Sequence, residues 1–152
     1  MRLWHVDLLE YLPDKQLKGQ LREVIAIMHN WRKNGNPKSL IVNKVTEYPK
    51  TDLYHYFLAY CDVYKKRFNK DIKDIHKQDF EDFVKDEFVM RKNYRREPIF
   101  RGWHNKNYLR VCMANLYEKH FMAKGKTTLT DLEWNRLLEG YKELNGGEIY
   151  VL

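Results

Sequence analysis

Residues 13–34 read PDKQLKGQLREVIAIMHNWRKN. Pro13 and Asp14 suit a helix start, and beyond them apolar residues fall at Leu17, Leu21, Val24, Ile25 and Met28, at spacings of four, three, one and three. Those spacings return to one face of a helix with 3.6 residues per turn, so the segment is an amphipathic helix ending near Asn34-Gly35-Asn36-Pro37. The period recurs after Thr51-Asp52 in Leu53, Tyr56, Phe57, Tyr60, Val63 and Tyr64, closed by Lys65, Lys66 and Arg67, which suit the negative end of a helix. Phe80, Phe83, Val84 and Phe88 suggest a third helix. Tyr108, Val111, Cys112, Asn115, Leu116 and Lys119 suggest a fourth, after a break at Arg101-Gly102. Thr130-Asp131-Leu132-Glu133 has the spacing of a capping box, and Trp134, Leu137, Leu138 and Tyr141 carry a fifth helix to a stop at Gly146-Gly147. Leu40-Ile41-Val42 is the one β-like run, too short to found a sheet. The expectation is an all-α, compact helical bundle of about five helices, with residues 1–152 forming a single domain.

A chain of 152 residues with 43% apolar side chains buries a core without staples. Its formal charge of +7 makes a polyanion the natural partner, nucleic acid before an anionic membrane. Cys61 and Cys112 stand in no metal-like spacing and read as free thiols of a reducing compartment. The start, MRLWHVDLLEYL, is too short and too interrupted by His5, Asp7 and Glu10 for a signal peptide, and no run approaches membrane-spanning length. A cytoplasmic protein without a membrane partner is expected.

Two segments hold residues suited to chemistry. Arg91 to Arg110, RKNYRREPIFRGWHNKNYLR, carries seven Lys/Arg against the single acid Glu97, interleaved with Tyr94, Phe100, Trp103, His104 and Tyr108. Guanidinium groups such as those of Arg95, Arg96 and Arg101, with Lys106, bind phosphates, and flat rings such as Trp103 and His104 stack on exposed bases. The alternative is a solvated loop whose aromatic residues fill the core. In the first helix Gln16, Gly19, Glu23 and Ala26 share a face beside the apolar stripe. A glycine there costs about 1 kcal/mol of helix propensity, which suggests a close approach to the backbone, either by a ligand within reach of Glu23 or by another helix. The six histidines show no zinc spacing, and there is no phosphate loop or serine elbow, so neither a metal nor a cofactor is expected.

The opening MRLWHVDLLEYLPDKQLKGQLREV, with its Leu12-Pro13-Asp14-x-x-Leu17-x-x-x-x-Arg22-Glu23 pattern, resembles the pyrimidine-dimer DNA glycosylase/AP lyase family, the phage endonuclease V-like enzymes. Weaker likeness continues through Val42-Asn43-x-Val45, Leu53-Tyr54-x-Tyr56, His104-Asn105, Tyr108-Leu109 and Asn115-Leu116-x-Glu118-Lys119 to Gly146-x-x-Ile149-Tyr150. The resemblance implies the endonuclease V-like helical fold and attack by the N-terminal amine on the sugar C1′, followed by an imine and β-elimination. An α-amino group, with a pKa near ~8, is largely neutral at cellular pH and serves as such a nucleophile. It also implies that Glu23 is the essential carboxylate and that Arg22 helps hold the DNA backbone. Where the family carries a small residue after the initiator, this chain has Arg2, which should prevent removal of Met1 and makes Met1 the expected bearer of the reacting amine. Leu3 and Ala26 stand where the family has basic DNA contacts. Arg2, Arg22, Arg95, Arg96, Arg101, Trp103, His104 and Lys106 are the expected DNA contacts.

Three readings follow. The first is a monomeric repair enzyme cutting double-stranded DNA at pyrimidine dimers or abasic sites, from a bacterial or phage genome. The second is a catalytically silent protein on the same scaffold that binds distorted DNA. The third is a basic adaptor for an acidic protein.

Overall fold

The computed structural model describes residues 2–90, 98–123 and 129–146. Among them there is no strand, and the helices are α1 (Asp14–Asn34), α2 (Lys50–Phe68), α3 (Asp74–Met90), α4 (Lys106–Tyr117) and α5 (Asp131–Leu144). Short 3-10 turns precede α1 (Val6–Tyr11) and α2 (Asn43–Glu47), and α4 runs on into a π turn, Glu118–Met122. The all-helical expectation is met, and its five helices are α1 to α5. No helix among the described residues is long and apolar enough to cross a membrane. Cys61, half-buried, and Cys112, buried, are both free. The contacts group the chain into two compact units: residues up to Leu3 with Gln20–Arg101, and Trp4–Gly19 with Gly102 onward.

In the first unit the buried residues of α1 are Gln20, Val24, Ile27 and Met28. This stripe is turned slightly from the one the apolar pattern suggests, because Leu21 and Ile25 are only half-buried while the polar Gln20 lies fully inside. From α2 come Leu53, Tyr56, Phe57 and Tyr60, all fully buried. Against them α3 sets Phe80, whose ring stacks on Phe57 with centroids 4.2 Å apart.

Helix α2 starts at Lys50, ahead of the Thr51-Asp52 pair that the sequence suggests. Pro49, extended at ψ 148° and without a side-chain cap, ends the preceding backbone. Thr51 and Asp52 therefore sit inside the first turn, where the Asp52 carboxylate accepts the Phe100 N–H at 3.0 Å and Glu87 of α3 accepts the Thr51 N–H at 3.2 Å. Helix α3 begins at Asp74, six residues before its first apolar signal at Phe80, because its opening turn is largely exposed and polar.

In the second unit the Val6–Tyr11 turn lies on α5. The Tyr11 ring occupies the space that a Cβ at Gly140 would need, which explains a glycine inside a helix. The Tyr11 hydroxyl donates to Glu143 at 3.1 Å, and Arg136 donates to the Glu10 carbonyl at 3.0 Å. The capping box at Thr130 and Glu133 forms as its spacing implies. Glu133 also reaches across the unit: one carboxylate oxygen accepts the Thr130 N–H at 3.1 Å, the other the Asp14 N–H at 2.9 Å, so one side chain satisfies donors at the starts of both α5 and α1.

Candidate active site

In the first unit, the N-terminal segment lies along α1. The backbone nitrogen of Arg2 donates to Glu23 Oε2 at 3.3 Å. One turn earlier on the helix, Gln20 Nε2 donates to the Arg2 carbonyl oxygen at 2.9 Å and lies 3.5 Å from the same Glu23 oxygen. The Gln20 Oε1 accepts the Tyr56 hydroxyl at 3.2 Å. Both Gln20 and Tyr56 are fully buried, whereas Glu23 is half-exposed. The site is thus a carboxylate open to solvent on one side, with a chain nitrogen against it and a dry amide behind.

A buried glutamine must find partners for one acceptor and two donors. Here the acceptor takes the tyrosine proton, and the amide group faces the Arg2 carbonyl and the Glu23 carboxylate. A carboxylate and a nitrogen at this range can exchange a proton and can stabilise positive charge that develops between them. These groups meet Arg2 at its backbone nitrogen and carbonyl. Met1 lies outside the described residues.

At Gly19, no protein atom comes within 4 Å of a Cβ built on the backbone. The helix-packing explanation for that glycine therefore has no partner in the described residues. Among the described residues that space is open.

Arg22 is exposed on α1, next to Glu23 in sequence, and Arg2 is half-exposed. Arg101 is exposed, and its carbonyl accepts the Tyr48 hydroxyl at 2.8 Å. In the second unit Lys106 is exposed in the first turn of α4. Arg95 and Arg96 lie outside the described residues.

The aromatic members of the basic segment behave differently. Phe100 is fully buried and Trp103 is 6% exposed, so neither ring is presented to a base. His104 clusters with His5 and Tyr108, with centroids 5.1 and 4.9 Å away, and its Nδ1 accepts the Val6 N–H at 3.0 Å. Burial, with His5 beside it, pushes the His104 pKa down to about 2. His5, held below its usual value mainly by burial, accepts the Asp7 N–H on Nδ1 at 3.1 Å and so caps the Val6–Tyr11 turn. A ring nitrogen that accepts an N–H carries no proton, so His5 is neutral and its 3.9 Å approach to the Asp7 carboxylate is no ion pair. Thus the rings fill the interior while Arg101 and Lys106 remain in solvent. Among the described residues no group of three His, Cys, Asp or Glu side chains is placed to hold a metal.

A family model described as pyrimidine dimer DNA glycosylase matches residues 1–76, half of the 152-residue chain. The chain belongs to this family. The match takes in Arg2, Gln20, Arg22, Glu23 and Tyr56, and it ends within α3, so the basic-aromatic segment falls outside it. Membership makes the protein in general terms a DNA repair glycosylase with DNA as its substrate. No curated protein and no solved structure matches the chain.

The sequence pattern led to Glu23 and Arg22 but passed over Gln20 and Tyr56. Gln20 stands three residues before Glu23, between Leu17 and Val24 on the buried face. A polar side chain inside an apolar stripe was the available signal.

Proposed function

We propose that the protein is a DNA glycosylase/AP lyase that acts on duplex DNA at pyrimidine dimers or abasic sites through an imine formed by its N-terminal amine. The observation that carries this reading is the Arg2 nitrogen 3.3 Å from the Glu23 carboxylate. In the full-length chain the amine is that of Met1, one residue beyond Arg2. In a chain relieved of Met1 it is the Arg2 nitrogen itself.

The neutral amine attacks C1′, forming a nitrogen–carbon bond as the bond from C1′ to the base breaks and the base leaves with a proton, or, at an abasic site, as the C1′ hydroxyl leaves as water. Opening of the sugar ring turns the adduct into an imine. Loss of a proton from C2′ then expels the 3′ phosphate and breaks the strand. Glu23 suits two tasks here: stabilising the cationic sugar as the base departs, and accepting the C2′ proton. An amine nucleophile calls for no metal-activated water.

Reaching C1′ requires the duplex to bend and a nucleotide to leave the stack, at about a few kcal/mol that contacts to the backbone must offset. The exposed Arg22, Arg101 and Lys106 suit phosphate contacts, and Arg2, Arg95 and Arg96 are proposed to join them. The open space at Gly19, one turn before Glu23, suits close passage of a DNA strand along α1.

The test is incubation of untagged protein with a duplex carrying one abasic site, followed by borohydride and mass spectrometry of the adduct. A covalent link at the N-terminal nitrogen is expected, and the peptide mass tells Met1 from Arg2. Tight lesion binding without an adduct would overturn the reading in favour of a DNA-binding protein that does not cut.

A further inference from the structure

The Gln20 amide donates to the Arg2 carbonyl oxygen at 2.9 Å and is itself held from behind by the Tyr56 hydroxyl at 3.2 Å. Glutamine suits this place on chemical grounds. Its carbonyl accepts from the tyrosine, while its amino group faces two acceptors, the Arg2 carbonyl and, at 3.5 Å, Glu23 Oε2. A glutamate would lack the donors, and an apolar side chain would leave the Arg2 carbonyl without this bond. Full burial of Gln20 and Tyr56 keeps water from competing. One turn along α2, Tyr60 meets the Leu21 backbone, so two tyrosines brace α1 beside the amide.

The geometry points to Gln20, backed by Tyr56, as the positioning residue that sets the N-terminal segment in register with Glu23. This rests on the imine reading above and deepens it. Gln20 acts through its neighbours, the Arg2 carbonyl and Glu23 Oε2, 3.5 Å from its amide nitrogen. It fixes the carbonyl of residue 2, whose own nitrogen faces Glu23. The Gln20 bond is to backbone, so it can form with any side chain at position 2. Displacement of a reacting group by about 1 Å costs on the order of 100-fold in rate, and a segment released from this bond has that freedom.

The experiment uses the full-length protein with Gln20→Leu and Tyr56→Phe. Single-turnover borohydride trapping on an abasic duplex gives the maximal rate and the half-saturating DNA concentration, and hydrogen exchange of the N-terminal peptide gives the hold on the segment. For Gln20→Leu the maximal rate is expected to fall about 100-fold, with half-saturation within about twofold of wild type and faster exchange at Arg2 and Leu3. Tyr56→Phe keeps its ring and loosens the amide, so a smaller fall of about three- to tenfold is expected, in the direction that partial misplacement gives. Wild-type trapping and exchange in Gln20→Leu overturn the proposal. Should that variant fail to fold, the same result in Tyr56→Phe overturns it. If the wild-type protein itself gives no adduct, the imine reading fails, and exchange alone decides the clamp: faster exchange in either variant supports it and unchanged exchange overturns it.

Discussion

Residues 2–3 and residues 5–14 belong to one short stretch of chain, yet opposite chemistry holds them. The Arg2 peptide is gripped by a half-exposed carboxylate and a buried amide, with one side of Glu23 left in water. Residues 5–14 are held by neutral rings, the Tyr11–Gly140 contact and the Glu133 carboxylate at a helix start. The first arrangement keeps a polar group reachable and charged. The second turns His5, His104 and Glu133 to backbone N–H donors. Chemistry is therefore expected to fail at the first when mutated, and stability at the second.

The sharpest separation is Glu23→Gln. Proton transfer by a placed side chain is worth about 100-fold or more, so strand cleavage should collapse by at least that factor while duplex affinity and melting temperature stay near wild type. A melting loss comparable to the rate loss would erase the distinction between the two regions.

Acid comes next. Folded His104 stays neutral, its pKa pushed to about 2 by burial and by His5, whereas the unfolded chain protonates near ~6.5. Between those values the unfolded state binds more protons, so stability falls as pH drops below about 6.5, by up to about 1.4 kcal/mol per pH unit. His5, also lowered by burial, acts in the same direction. In His104→Asn an amide oxygen remains to accept the Val6 N–H and no proton is taken up there. Thermal unfolding across pH 4–8 should show a shallower acid loss than in wild type, and an equally steep one would remove His104 as its source.

Gly140→Ala brings a Cβ onto the Tyr11 ring. Overpacking of this kind costs about 1–3 kcal/mol, more than alanine returns in helix propensity, and denaturant titration should register the loss with abasic-site chemistry otherwise intact below the new transition.

The smallest expected change is Gly19→Ala. Open space surrounds the position, so alanine should stabilise α1 by about 0.5–1 kcal/mol. If DNA passes close to this backbone, affinity should fall as stability rises. A gain in both would mean the strand runs elsewhere.

Much of the helical frame was legible because it depends on local signals. Thr130 and Glu133 stand at the spacing of a capping box and form one, and Asn34-Gly35 ends α1, with Gly35 at φ +81°. What local pattern missed was set by distant partners. The α2 start moved to Lys50 because Asp52 turned inward to the Phe100 backbone, 48 residues away. The π turn at Glu118–Met122 continues α4 without a marking residue, and there His120 Nε2 lies 3.0 Å from Asp131 of α5. At the site, Glu23 and Arg22 came from a motif, but Gln20 acquires meaning only when the N-terminal segment folds back onto α1 and Tyr56 arrives from α2. The aromatic-basic segment divided by burial, a property that composition does not carry: Trp103 and Phe100 went inside, and Arg101 and Lys106 stayed out.

The second unit is stitched from Trp4–Gly19 and from the chain beyond Gly102. On the ribosome, where synthesis runs at about 5–20 residues per second, its early strand of sequence emerges first and waits while all of Gln20–Arg101 is made. The Asp14 N–H meets Glu133 only after 119 further residues have appeared. During that interval Tyr11 has no α5 to rest on, while α1, α2 and Tyr56 are already outside the exit tunnel. The polar clamp on Arg2, which belongs to the first unit, therefore has Gln20 and Tyr56 in hand well before Tyr11 meets α5.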